Sequence, residues 1–113
     1  MTGTTPEMTW LTLPDLVEVL GEPLSRVRRL LDEKYLVGTR RDGPLKVPAG
    51  FIVDGEPLSS LRGTVIVLLD AGFSEDETID WLLAPDDTIG VAPLEALRAG
   101  RKSEVRRVAL TLA

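Results

Sequence analysis

The stretch Pro23–Lys34, PLSRVRRLLDEK, decides how the rest of the chain is read. Leu24, Val27, Leu30 and Leu31 recur at helical spacing and make an apolar stripe. Pro23 suits the first helical position, where its missing N–H costs nothing. Arg26, Arg28 and Arg29 fall off the stripe, so the spacing predicts three guanidinium groups facing outward from a short, anchored helix, with Ser25 beside them. Guanidinium groups held on a rigid helix reach phosphates or the edges of guanine. A solvated surface helix with chance arginines is the alternative for this segment taken alone, so its neighbours have to decide.

Upstream, a first helix is expected from Thr12 as N-cap to Leu20, with Gly21 as its stop and Leu16 and Leu20 as an apolar pair one turn apart. Gly21-Glu22 is then a tight joint. Two short helices, a glycine-containing joint and a basic second helix make a helix-turn-helix pattern. Downstream the period changes. The run YLVGTRRDGPLKVP, residues 35–48, reads as a strand Leu36–Arg41, a turn at Asp42-Gly43 and a strand Leu45–Pro48. Asp-Gly between β-like runs is a strong hairpin signal, although Pro44 limits pairing next to the turn. Arg40, Arg41 and Lys46 cluster on this hairpin, which becomes a cationic wing beside the helix pair. An ordinary surface ribbon is the reading of the hairpin without the helices.

Residues 51–58 read as a linker or a further short strand, with a turn at Asp54-Gly55. Leu61–Ala71 is strongly apolar and ends at Gly72. Ser74 with Glu77 three residues on is a capping box for a helix reaching Leu83, and Glu75, Asp76 and Glu77 suit the positive end of its dipole. Pro85 ends it. Pro93–Ala99, stopped by Gly100, and Ser103–Leu112 are two further helices. Trp81, Leu82, Leu94, Leu97, Val105 and Val108 are the expected core of this half. The fold class is therefore mainly α with a small β-hairpin wing: a flexible tail over 1–9, a winged helix-turn-helix over 10–58, and a helical bundle over 59–113 packed on it.

Composition narrows the chemistry. With 113 residues, 43% of them apolar, the chain can bury a real core. No cysteine excludes disulfides, thiolate metal sites and a cysteine nucleophile, and no histidine removes the usual acid–base group near neutral pH. The paired carboxylates Asp76-Glu77 and Asp86-Asp87 fall where caps and loops place them. No phosphate-binding glycine loop or nucleophile–base pair occurs, so no enzyme, cofactor or metal is expected. Neither a membrane-spanning run nor a signal-peptide pattern is seen, which points to a cytoplasmic protein. The net charge is −5, yet between Arg26 and Lys46 seven Lys/Arg face three carboxylates, while Asp70–Asp87 holds seven carboxylates and no cation. One basic region thus sits on an acidic body.

The run LTLPDLVEVLGEPLSRVRRLLDEKYLVGTRRDGPLKVP, residues 11–48, resembles the winged helix-turn-helix of small actinobacterial DNA-binding proteins, related in layout to the MerR and excisionase readers. The run LRGTVIVLLDAGFSEDETIDWLLAPDDTIGVAPLEALRAGRKSEVRRVALTLA, residues 61–113, resembles the same family's C-terminal helical domain. The resemblance implies a DNA-binding regulatory protein of the nucleoid, with double-stranded DNA on Ser25, Arg26, Arg28, Arg29, Arg40, Arg41 and Lys46. The latter part of the second run also looks like the toxin-binding domain that ends Xre-type antitoxins, which leaves a protein-interaction module as the alternative. A second basic cluster, Arg98, Arg101, Lys102, Arg106 and Arg107, would then meet an acidic protein partner or extend the DNA footprint. The threonines of the tail, Thr4 and Thr5 above all, are accessible to a kinase if the tail is free, and phosphate there would compete with DNA. Oligomeric state is left open, since no heptad repeat is present.

Overall fold

A computed structural model describes residues 9–41 and 43–112 of the chain. The expected tail, Thr4 and Thr5 within it, and Asp42 of the expected wing turn lie outside the described residues.

The chain enters as a three-residue strand, β1 (Trp10–Thr12), and turns directly into α1 (Leu13–Leu20). Thr12 closes that turn. Its hydroxyl accepts from Asp15 N at 3.4 Å while the Asp15 carboxylate accepts from Thr12 N at 3.0 Å, so two otherwise orphaned donors are satisfied reciprocally. Gly21 ends α1 in the left-handed region at φ 65° and donates to Val17 O at 3.0 Å. After a two-residue joint, α2 runs over Leu24–Asp32. Pro23 is its N-cap and stands just outside the helix. Val27 and Leu30 are buried and Leu31 half-buried, but Leu24, expected on the same stripe, is 42% exposed. Its place in the first turn reaches beyond the edge of the core. The helix stops at Asp32, two residues short of the expected end, because Lys34 turns left-handed at φ 68° and sends Tyr35 N back to Leu30 O.

The wing differs from the expected hairpin. Residues 36–41 form no strand; a single bridge joins Thr39 to Lys46 through reciprocal bonds of 2.9 Å. The second half, β2 (Lys46–Pro48), pairs with β1 in antiparallel register, Trp10 to Pro48 and Thr12 to Lys46. Two causes act together. Pro44 has no N–H to give to a ladder, and Leu36, Val37 and Gly38 run buried into the core instead of alternating in and out. The wing is thus an irregular loop whose return arm is stitched to the strand before α1.

The regular hairpin lies further on. After a single 3-10 turn at Ala49–Phe51, β3 (Ile52–Val53) pairs with β4 (Glu56–Pro57) around Asp54-Gly55. Both turn residues are left-handed, at φ 52° and 77°, as a two-residue type I′ turn requires.

Four helices complete the chain: α3 (Leu61–Asp70), α4 (Glu75–Leu83), α5 (Pro93–Arg98) and α6 (Lys102–Thr111). The Ser74–Glu77 capping box that opens α4 is present, with bonds of 2.8 and 3.0 Å. Asp86 is a loop residue, its carboxylate accepting from Thr88 N at 2.8 Å. Leu82, Leu94, Leu97 and Val105 are buried as expected, while Trp81 and Val108 are half-buried against the same core. Leu16, Val27, Leu36, Val47 and Phe51 from the first half join Leu61, Val65, Ile79 and Leu82 from the second in one cluster. The helix pair and the wing therefore share one core with the C-terminal helices. The fold is a winged helix-turn-helix with a helical C-terminal part.

Candidate nucleic-acid interface

Helical geometry sorts the side chains of α2. Val27, Leu30 and Leu31 define the inward direction, so Ser25 and Arg29 stand at the outward apex, with Arg28 and Arg26 on opposite flanks. All four are exposed. Arg28 lines a groove with Leu45, Gly38 and Arg40 of the wing, and Asp32 and Lys34 share it. Arg26 lines a different hollow, beside Glu22, Asp54 and Glu56 of the β3–β4 hairpin. Carboxylates dominate that side.

The wing is divided in the same way. Arg40 and Arg41 are neighbours in sequence but line different hollows. Arg40 faces the α2 groove, whereas Arg41 lines a hollow with Trp10, Thr39 and Lys46. Lys46 is opposite Thr39, which puts it on the Arg41 side. Of the expected set, the structure brings Arg28 and Arg40 together with the Ser25–Arg29 apex next to them. Arg41 with Lys46, and Arg26, lie apart from that groove.

Arg41 is also engaged. Its Nη1 donates to Asp80 Oδ1 at 3.0 Å, its Nε lies 3.6 Å from Asp76 Oδ2, and its Nη2 donates to Asp76 O at 3.4 Å. The bond to Asp80, with the charge of Asp76 behind it, raises the guanidinium above its ordinary pKa. Lys34 is paired with Glu75, the first residue of α4. The acidic first turns of α4 are thus applied to the rear of the wing and the end of α2. Among the described residues, Arg26, Arg28, Arg29, Arg40 and Lys46 enter no ion pair.

Two participants escaped the sequence reading. Lys34 sits in the α2 groove, although the sequence marks it only as part of the local charge. Arg62 of α3 donates from Nε to Glu33 O at 2.7 Å, just past the end of α2, and lies 5.1 Å over the Tyr35 ring. Its signal was a lone arginine at the start of an apolar helix, which carries little by itself. Conversely, two members of the second basic cluster have structural partners: Arg98 donates to Gly50 O at 2.8 Å and Arg101 to Ile89 O at 2.9 Å and to both oxygens of Glu104.

Two family models match the chain. Residues 4–52 match the winged helix-turn-helix domain described as "DNA-binding protein Rv2175c", and residues 58–113 match the "Rv2175c C-terminal domain of unknown function". The chain is 32% identical over 121 residues to DNA-binding protein Rv2175c of Mycobacterium tuberculosis (strain ATCC 25618 / H37Rv), covering 96% of this chain and 83% of that one. The NMR structure of Rv2175c superposes with a TM-score of 0.86 at 31% identity, over 100% of this chain and 86% of that one. The chain belongs to the Rv2175c family of DNA-binding proteins, with the family's winged helix-turn-helix followed by its C-terminal domain.

Proposed function

We propose that the chain binds double-stranded DNA with Ser25, Arg28 and Arg29 of α2 in the major groove and Arg40 of the wing on the adjoining backbone. The observation that carries this reading is the groove shared by Arg28 and Arg40, which aims helix and wing at one ligand. Arg29 and Arg28 are the base-reading candidates, since a guanidinium fork matches the acceptor pair of guanine. Arg40 supplies a phosphate contact that positions the duplex without reading it. Arg26 flanks the site and Arg41 fastens the wing to α4. The acidic body, at a net charge of −5, repels DNA elsewhere and leaves one productive face.

A role in transcription, in the cytoplasm and at the nucleoid, follows from this activity, and the reading assigns the chain no enzymatic step. Among the described residues no helix is long and apolar enough to cross a membrane. The test is a fluorescence-anisotropy titration of labelled duplex at two salt concentrations, for the unmodified chain and for Arg28→Ala with Arg29→Ala. The double variant should weaken binding markedly with its circular dichroism unchanged. Equal affinity would remove α2 as the reader.

A further inference from the structure

The outward face of α6 has no assigned role. Lys102, Arg106 and Arg107 are exposed there, and none of them enters an ion pair among the described residues. Lys102 and Arg106 are one turn apart, and both line one shallow hollow with Arg107, so the three charges form one band. The one carboxylate of α6, Glu104, is already held by Arg101 through bonds of 2.8 and 3.0 Å. The band is therefore a net cationic surface on an acidic protein.

Its position relates it to the reading helix. Arg106 lies over α3 at Gly63, where a Cβ would overlap its guanidinium group. The preceding residue, Arg62, is the one bonded to Glu33 O at the end of α2. Arg62 and Arg106 thus connect the end of α2 to the α6 band across the first turn of α3.

We propose that α6 is a second phosphate-binding face, and that the duplex held by α2 and the wing continues past Arg62 onto Lys102, Arg106 and Arg107. This rests on the DNA-binding reading above and gives the C-terminal domain a part in it. The band contacts backbone phosphates and adds affinity without sequence preference. An acidic protein is the poorer match. The exposed side of α6 carries Leu110, with Leu112 just past its end, but no aromatic residue, and protein interfaces are enriched in aromatics.

The test compares the unmodified chain, Lys102→Gln with Arg106→Gln and Arg107→Gln, and Arg28→Ala with Arg29→Ala. Each is titrated over a salt series on duplexes of about one and about two helical turns, roughly 10 and 20 base pairs. The α6 variant should match the unmodified chain on the short duplex. On the long one it should bind more weakly, with a log–log salt slope shallower by about 0.9 per lost contact, about 2.7 in all. Replacing Arg106 and Arg107 by lysine should preserve the long-duplex slope. Identical binding to the long duplex, or equal weakening on both lengths, overturns the proposal while leaving α2 as the reader. Unchanged short-duplex binding by the α2 variant contradicts the reader itself.

Discussion

Arg41 Nη1 lies 3.0 Å from Asp80 Oδ1, so the wing of the reading domain is fastened to the acidic helix of the C-terminal half. Asp76 reinforces the contact at 3.6 Å, and Lys34 is paired with Glu75 on the same helix. The face of α4 that holds the wing therefore also brings carboxylates to the Arg28–Arg40 groove, where Glu75 is a lining residue.

Neutralising those carboxylates should favour DNA. Asp76→Asn with Asp80→Asn frees Arg41 and removes two negative charges near the duplex, so affinity should rise at low salt and the gain should fade as salt is added. Exposed ion pairs contribute little to stability, so calorimetry should show an almost unmoved unfolding temperature. A drop in affinity would show that the pairing holds the wing in its binding geometry.

Charge and packing on α2 should separate cleanly. Arg40→Ala should weaken binding similarly across sequences and flatten the salt slope by about 0.9, with stability unchanged. Leu30→Ala should instead cost about 2–5 kcal/mol of stability, because it empties a buried site between α2 and the core. Parallel denaturant and anisotropy titrations distinguish the two effects.

The Asp54-Gly55 turn should be sensitive at one atom. A Cβ at Gly55 would meet only Val19 O at 3.5 Å, an ordinary contact, but the backbone sits at φ 77°. Gly55→Ala should therefore destabilise by about 1–2 kcal/mol through backbone strain alone, read as a lower denaturation midpoint with an unchanged slope. Gly55→Asn should recover part of it, since asparagine tolerates the left-handed region.

How much of this was legible varies from element to element. The helix boundaries were visible because their signals are local: Thr12 and Gly21 around α1, Ser74 and Glu77 at α4, Pro93 and Gly100 around α5. The β pairing was not. Trp10–Thr12 is too short to display a period of two, so the partner of β2 was hidden, and the same Asp-Gly signal occurs at 42–43 and 54–55 although the described hairpin forms at the second. For the site, the arginines off the apolar stripe could be named from spacing, but which of them share a groove depends on the turn at Lys34 and the fastening of Arg41. Both involve α4, forty residues away in sequence.

Acid should loosen the start of α6. The bond from Arg101, and secondarily the charges of Arg101 and Arg107, lower the Glu104 carboxyl below its ordinary pKa. A group whose folded pKa is depressed stabilises the fold above its unfolded value and loses that contribution as pH falls through the folded one. Glu104→Gln should therefore be less stable than the unmodified chain near neutral pH, with the difference vanishing in acid below the carboxylate range. Thermal unfolding of both chains over a pH series measures it, and a constant gap would assign the loss to packing.

On the proposed function, the duplex sits where α2 and the wing join at one groove. Two-dimensional amide NMR of the labelled chain, titrated with a duplex and followed residue by residue, tests it most directly. The amides of Ser25, Arg28, Arg29, Gly38 and Arg40 should shift together and saturably while those of Asp76, Glu77 and Asp80 stay almost still. Shifts confined to other surfaces, or saturation with residues 25–29 unmoved, would contradict it.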